Sequence, residues 1–355
     1  MISREIIQKI LSDACTAPSG GNSQPWEFVV ENNKIRIISK PEKDHPVLNV
    51  HYRGTWIAHG ALIENICICA SNYGISCKTK IFPEDNDKFL TCIMELEQSQ
   101  TISKDKLFTA VLKRATNRKP FLTKPIATDI VNDLRNIIQA TSGIKAEFIS
   151  ERGIIEKIAN IISVGDRIMF ENKILHKLFF KEVAWNKKHE KQRGGGLLLD
   201  TLELKPPQRI MLHLLQYWPV MQIAARLGLA KQIAKENAQT HSSCGLLCGI
   251  VVPQNKNYFI EVGRQIQRLW LMATNHGLSV QINTGLFFFW QGIKEGSAAS
   301  IFSKSEQDKI KEAYNSITSL FKAENDIVTA VIRIGYDGEP STRSIKLAPN
   351  ITFKS

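Results

Sequence analysis

Apolar positions change their spacing several times along the chain, and each change marks an element. Helical spacing runs over 3–16, two-residue alternation over 27–31 and 34–39, and helical spacing again over 54–73. Strands are predicted next at 77–82 and 89–96. The junction Glu31-Asn32-Asn33-Lys34 suits a tight hairpin, because Asn tolerates positive φ. A second stretch gives a helix over 128–139, a strand over 145–150, and helices through 151–190 and 207–236. A strand over 246–252, helices over 258–275 and 304–321, and a strand over 328–335 follow. Helices mixed with strands in hairpin-like order define an α+β protein with antiparallel or mixed sheets, not a regular alternation of parallel units.

The chain repeats itself. Gly60 to Ser76 reads GALIENICICASNYGIS and Gly263 to Ser279 reads GRQIQRLWLMATNHGLS. They share Gly60/Gly263, Ile63/Ile266, Ala70/Ala273, Asn72/Asn275, Gly74/Gly277 and Ser76/Ser279. Each is a helix closed by a Gly suited to a left-handed cap, and each precedes a strand. A second pair agrees in order. Ala17 to Glu31 reads APSGGNSQPWEFVVE and Ala140 to Glu151 reads ATSGIKAEFISE, matching Ser19-Gly20 with Ser142-Gly143 and Glu27-Phe28 with Glu147-Phe148. The expectation is a tandem duplication, with unit one over 1–104 and unit two over 105–355. Unit two holds a helical insertion at about 165–239.

The two units differ where chemistry would sit. Unit one keeps Ala17-Pro18-Ser19-Gly20-Gly21-Asn22-Ser23-Gln24-Pro25-Trp26 between a helix and a strand. Gly lets backbone amides approach a ligand closely, and Ser19, Asn22 and Gln24 add donors and acceptors. A plain turn with Trp26 anchored in the core is the competing reading. Unit two opens on Arg114-Ala115-Thr116-Asn117-Arg118-Lys119-Pro120-Phe121. Arg114 and Arg118 could clamp a phosphate, whose oxygens match the guanidinium fork; a solvated basic linker is the alternative. Each unit lacks what the other keeps, as expected if a two-site homodimer fused and retained one site.

Composition changes this picture little. The 355 residues are 43% hydrophobic and 23% charged, which excludes a disordered or fibrous chain. The net charge is +12, but no nucleic-acid-binding module surrounds the basic residues. MISREIIQKI carries charges where a signal peptide needs an apolar run, and no stretch reaches the roughly 18 apolar residues of a membrane span. The apolar run Ile210 to Leu229 is broken by His213, Gln216, Pro219, Gln222 and Arg226. Seven cysteines, an odd number, point to reduced thiols in the cytoplasm and to core packing. Cys67/Cys69 and Cys244/Cys248 lack zinc-site spacing, so no metal is expected. His51, His59, His213 and His241 carry no matching carboxylate motif. HSSCG at 241–245 lacks the Gly pattern of a nucleophile elbow.

APSGGNSQPWEFVV resembles the Pro-Ser-x-x-Asn-x-Gln-Pro-Trp signature of the nitroreductase family, and RATNRKPFLTKPI resembles its Arg-rich opening, with Thr116 where Ser is commoner. The two repeated helices resemble the family's central helix. The fused arrangement, Glu182 with Trp185, DTLELKPPQR and VIRIGYDGEPSTRS resemble its Acg-like branch. The resemblance implies two nitroreductase-like units sharing one flavin mononucleotide (FMN) site at their junction. Carried over, Ser19, Gly20 and Asn22 contact the ring or ribityl portion, and Gln24 and Trp26 shape the loop. Arg114 and Arg118 bind the phosphate with Asn117 nearby. Gly277 and Leu278 offer backbone beside the ring, and Arg343 and Lys346 help hold the phosphate, on a poorer local match. NAD(P)H would reduce the flavin, and a nitroaromatic, a quinone or a similar acceptor would reoxidise it. No catalytic side chain is required. Storage of FMN without turnover is the alternative function. A fused pseudo-dimer implies a monomer.

The insertion leaves three readings open. It is a lid over the flavin, an amphipathic surface touching anionic lipid, or a solvated face over extra core. Its basic run from Lys173 to Arg193 ends in Gly194-Gly195-Gly196, expected to be a flexible joint.

Overall fold

The structure is a computed structural model that describes all residues except 1, 45–48, 139–142, 254–255, 324 and 355, and the side chains of 256–257. The sequence match at Ala140 to Ser142 therefore lies outside the described residues.

Helix α1 (Arg4–Ala14) starts at Ser3, whose hydroxyl accepts from the Ile6 amide at 3.3 Å and caps the first turn. Strands β1 (Trp26–Glu31) and β2 (Lys34–Ser39) form the expected hairpin, with Asn32 at φ +52°. Helix α2 (Arg53–Ser71), β3 (Ile75–Ile81) and β4 (Leu90–Gln98) follow. After the short α3 (Phe108–Val111) come α4 (Thr128–Asn136) and β5 (Lys145–Ile149). A largely helical segment then holds α5 (Arg152–Glu171), α6 (Lys173–Glu182), β6 (Val183–Ala184), α7 (Lys187–Arg193), β7 (Leu197–Leu198), α8 (Pro206–Leu215), α9 (Trp218–Arg226) and α10 (Leu229–Ser242). The chain ends with β8 (Leu246–Val252), α11 (Lys256–Asn275), β9 (Ser279–Asn283), α12 (Gly285–Lys294), α13 (Lys304–Leu320), β10 (Ile327–Gly335) and β11 (Ile351–Lys354).

The first sheet has the order β11-β1-β2-β4-β3 and the second β5-β8-β10-β9. Leaving β11 aside, each sheet runs first, second, fourth, third in chain order, with all neighbours antiparallel. The connection between the first and second strands differs between halves. It is a two-residue turn in one, and in the other it is residues 150–245, which begin with α5 ahead of Gly165. Strand β11 returns the C-terminal end to the first sheet, parallel to β1. The sequence pattern missed α12, the four-residue α3, β11 and the two-residue β6 and β7. Helix α12 reads GLFFFWQGIK, apolar on nearly every side, so it shows no stripe. The other four are too short for a period to register.

Helices α2 and α11 cross at the centre and pack each other more extensively than any other pair. A Cβ on Gly60 would fall inside the van der Waals shell of the Ile260 carbonyl oxygen, and one on Gly263 inside that of Ile57. The two matched glycines therefore meet reciprocally, each beside the carbonyl three residues before the other. Nearly all of α2 is buried, as its apolar sequence demands. Its Glu64 carboxylate accepts from Arg264 Nε at 2.8 Å and Arg268 Nη1 at 2.7 Å. Asn65 accepts from Gln267 at 2.7 Å and donates to the Ala14 carbonyl at 3.1 Å. One apolar cluster then runs unbroken from Ile10, Phe28 and Ile63 to Ile266 and Trp270.

Gly60→Ala and Gly263→Ala are each expected to destabilise by about 3 kcal/mol, since backbone must move to admit the methyl. The double variant should cost less than the sum, because one widening of the crossing relieves both clashes. Urea denaturation of the three variants measures this; strict additivity would contradict a shared crossing.

Candidate functional site

Beyond α1 the chain enters a strained loop. Gly21, Asn22 and Gln24 all adopt positive φ, at +53°, +57° and +48°. Left-handed non-Gly residues cost energy and persist where surrounding bonds over-determine them. Those bonds go to the C-terminal segment. Asn22 Nδ2 donates to the Ile345 carbonyl at 3.0 Å, and Gln24 Oε1 accepts from the Leu347 amide at 2.9 Å. Lys346 Nζ donates to Asn22 Oδ1 at 3.0 Å and to the Ala17 carbonyl at 2.8 Å. Ser19 Oγ accepts from the Gln24 amide at 3.0 Å.

Facing this loop is a cleft of ≈ 220 Å³. Ser19, Gly21 and Asn22 line it from one side, and Arg114, Ala115, Thr116 and Arg118 from the other. Arg343, Ser344 and Lys346 close a third side, and Gly196, Leu197 and Thr201 of the long insertion a fourth. Four cations line the cleft, and no Asp or Glu is among its lining residues. Arg114 is buried; its Nη2 donates to the Thr16 carbonyl at 2.7 Å, and its guanidinium sits 4.5 Å over the Trp270 ring of α11. Its Nε has no hydrogen-bond partner. Arg118 Nη1 donates to the Thr201 carbonyl at 3.1 Å. Arg343, at the rim, donates to the Leu112 carbonyl at 3.1 Å and lies 3.6 Å from Glu339.

Burial disfavours these charges. It lowers the pKa of Arg114, helped by Arg343, and lowers that of Arg118 against the pull of Glu203; a guanidinium still keeps its proton at neutral pH. Lys346 is pressed down to about 7, first by burial and then by Arg114. Such a set of cations is unfavourable alone and favourable around an anion.

Of the residues the sequence singled out, Ser19, Asn22, Arg114, Arg118, Arg343 and Lys346 come together in the cleft. Gly20, Gln24, Trp26, Asn117, Gly277 and Leu278 do not line it. Trp26 is core, edge-on to His59 at 6.1 Å. Gln24 clamps the C-terminal segment. Asn117 is buried and ties its loop to Ser279 at 3.0 Å and Asp337 at 2.9 Å. Gly277 closes α11 at φ +70°, and Leu278 is buried.

Sequence reasoning passed over Thr16, Thr201, Ser344 and Arg333. Arg333 is fully buried on β10 and donates to the Lys119 carbonyl at 2.7 Å, the Thr240 carbonyl at 2.8 Å and Gln281 Oε1 at 2.6 Å. It thereby fixes the Arg-rich loop against the end of the insertion. A lone Arg in an apolar strand was the available signal.

The glycine run is not a flexible joint. Gly194, Gly195 and Gly196 have φ of +69°, +135° and +109°, and a Cβ on Gly195 would lie 2.6 Å from the Asn22 carbonyl oxygen. These glycines let the insertion press on the strained loop. Glu182, also from the insertion, reaches Gly21, where a Cβ would lie 2.8 Å from its Oε2.

Two of the histidines gain carboxylate partners in the fold. His241 Nε2 lies 3.1 Å from Asp166 and His51 Nε2 2.9 Å from Glu295, partners too distant in sequence to form a motif. His59 is fully buried between Thr91 and the Pro25 carbonyl, and burial lowers its pKa to about 4. The Cys244 thiol is pushed up to about 11 by burial, which leaves it a poor nucleophile.

Fold and cleft thus define an α+β protein with a cationic cleft between its halves, walled by an insertion. Residues 1–44 match the model of the nitroreductase family. The chain is 24% identical over 332 residues to the uncharacterized protein MT1398 of Mycobacterium tuberculosis, covering 93% of this chain and 46% of that protein. It is 24% identical over 144 residues to the putative NAD(P)H nitroreductase acg of the same organism, covering 39% of this chain and 43% of that one. In those alignments it spans about half the length of the curated relatives. An FMN-bound nitroreductase from Bacteroides fragilis is similar at 14% identity and TM-score 0.37, over 68% of this chain and 94% of that one. NfnB from Mycobacterium smegmatis, in complex with NADPH, is similar at 13% identity and TM-score 0.36, over 64% of this chain and 85% of that one. The similarity to the nitroreductase family is most direct in the first 44 residues.

Two outcomes follow from this geometry. Between pH 7 and the ordinary lysine value, the unfolded chain holds a proton on Lys346 that the folded one has lost. Stability should therefore rise with pH across that window, and Lys346→Met should remove on the order of 3 kcal/mol of the rise. Urea titrations of both proteins from pH 6 to about 10 would show it; identical slopes would contradict it. Gly195→Ala should push the insertion off the Asn22 carbonyl and speed proteolysis within 187–205 several-fold. An unchanged cleavage rate would mean the contact is dispensable.

Proposed function

We propose that the chain is an FMN-dependent oxidoreductase that carries electrons from NADH or NADPH to a small acceptor such as a nitroaromatic or a quinone. The observation that carries this reading is the cleft's charge: Arg114, Arg118, Arg343 and Lys346 with no lining carboxylate, and Arg114 Nε without a partner. Half-buried and buried cations of this kind need an anion with several acceptor oxygens. A phosphate meets that need, so the residues present fit the phosphate end of FMN. The family match and the names of the relatives point the same way.

In this reading Arg114, Arg118 and Lys346 hold the phosphate, Arg343 covers it from the rim, and Ser19 and Asn22 run along the remainder. When bound, the flavin supplies the hydride and electron transfer. The chain's part is to bind it, orient it and exclude water, and the insertion serves as the lid. A second reading, FMN storage beneath that lid, is favoured by the cleft's volume, which is below the roughly 300–1,000 Å³ usual for a ligand pocket. Full entry of a flavin then requires the Gly196 to Thr201 wall to move.

The halves are read as a tandem duplication of 1–104 and 105–355. The identical strand order and the reciprocal glycines support this. A monomer in the cytoplasm is the corresponding expectation, and light scattering checks the first part.

The test is to purify the protein without added cofactor, record its visible spectrum and measure released flavin per chain. One FMN per chain is expected. Arg118→Met and Arg343→Ala should each weaken FMN about tenfold to hundredfold, the usual worth of one bond to a charged group. No flavin, even after incubation with FMN, would overturn the proposal. Steady-state NAD(P)H oxidation by the loaded protein then separates turnover from storage.

A further inference from the structure

Helices α8 and α9 form an elbow on the outer side of the insertion. Their inner faces are accounted for: Leu212, Leu215 and Met221 are buried in the insertion's own apolar cluster. Their outer faces are apolar as well. Ile210, Leu214, Tyr217, Val220, Ile223 and Leu227 are 67%, 58%, 62%, 43%, 60% and 84% exposed. Ile210 and Leu214 are four apart on α8, and Val220 and Ile223 three apart on α9, so each helix has an apolar outer side, with Tyr217 at the turn and Leu227 at the end of α9. A helix that buries one face normally turns polar residues outward. Single exposed apolar side chains need no explanation, but a contiguous row does.

The charges within this stretch of sequence all have one sign. Between Glu203 and Glu236 the sequence has no acidic residue, while Lys205, Arg209, Arg226, Lys231 and Lys235 are all basic. Arg209 is taken up by Asp200 at 2.6 Å. Arg226 and Lys231 are exposed beside Leu227. Helix α6 packs against α9 and brings exposed Lys173, Ile174 and Lys177 to the same region; His176 between them bonds the Leu215 carbonyl at 2.7 Å.

We propose that the α8–α9 elbow docks on an anionic lipid surface. The apolar row enters the boundary between headgroups and acyl chains, with both helices lying in the plane of the membrane. Arg226, Lys231, Lys173 and Lys177 face the headgroup phosphates. Tyr217 supplies the aromatic, polar-tipped side chain that such a boundary favours. A second copy of this chain fits less well, because a two-fold contact would set this basic region against itself. Among the described residues no helix is long and apolar enough to cross a membrane, so the contact is peripheral. The inference stands whatever the cleft holds.

The experiment is co-sedimentation of the full chain with two vesicle preparations, phosphatidylcholine alone and phosphatidylcholine with phosphatidylglycerol in a three-to-one mixture. Binding to the anionic vesicles only is expected, weakening as salt screens the headgroups. Leu214→Glu/Leu227→Glu and, separately, Arg226→Glu/Lys231→Glu should each cut the bound fraction about tenfold. All four positions are exposed, and an unchanged circular dichroism spectrum verifies folding. No sedimentation with anionic vesicles, equal sedimentation with neutral ones, or variants that bind like the parent would overturn the proposal. So would a dimer in light scattering that Leu214→Glu/Leu227→Glu splits, since the row would then be a self-interface.

Discussion

The structure rests on the close crossing of α2 and α11. Gly60 and Gly263 allow the two backbones to approach until each helix touches a carbonyl of the other. That approach removes the boundary between the halves, so one apolar core serves both. It also decides where the cleft can form. Trp270 on α11 supports the guanidinium of Arg114, which reaches back to the Thr16 carbonyl at the end of the first helix region. Widening the crossing would draw these partners apart.

The cleft is assembled from four separate stretches of chain, and it gathers both charge and strain. A loop with three positive-φ positions is held by bonds from Asn22 and Gln24 to the C-terminal segment, which in turn carries Lys346 into the cleft. Strand β11 anchors that segment on the first sheet. Conformational strain and buried cations both oppose folding locally, and the surrounding hydrogen bonds offset them. An anion in the cleft would offset them further, since it pairs with the cations and stabilises the folded chain by binding it alone.

The insertion has two faces with different chemistry. Its inner face meets the cleft through Gly196 and Thr201, and the absence of a side chain at Gly195 permits contact with the strained loop. Its outer face presents apolar side chains among basic ones. A segment that only added core would not need the second feature, and one that only capped the cleft would not need it either. Both faces belong to the same connection between β5 and β8, which in the first half is a two-residue turn.

Much of this was legible along the sequence. The repeated helices, the hairpin at Asn32-Asn33, the strand over 246–252, and the chemistry of Ser19, Asn22, Arg114 and Arg118 are local properties: period, turn preference and side-chain type. Even Lys346 was marked by resemblance. What the sequence left undecided depends on groups far apart in the chain. It took Gly194 to Gly196 for a joint, because a glycine run reads alike whether it bends freely or admits a neighbouring carbonyl. It saw His241 and His51 as lone residues, because Asp166 and Glu295 approach them only in the folded chain. It had Gln24 and Trp26 shape the loop and Asn117 sit near the phosphate, without showing which distant groups each of them braces. Residue type fixes what a group can do. Only tertiary packing decides whether its partner is solvent, backbone, a distant side chain or a ligand, because those distances are set by how the halves meet.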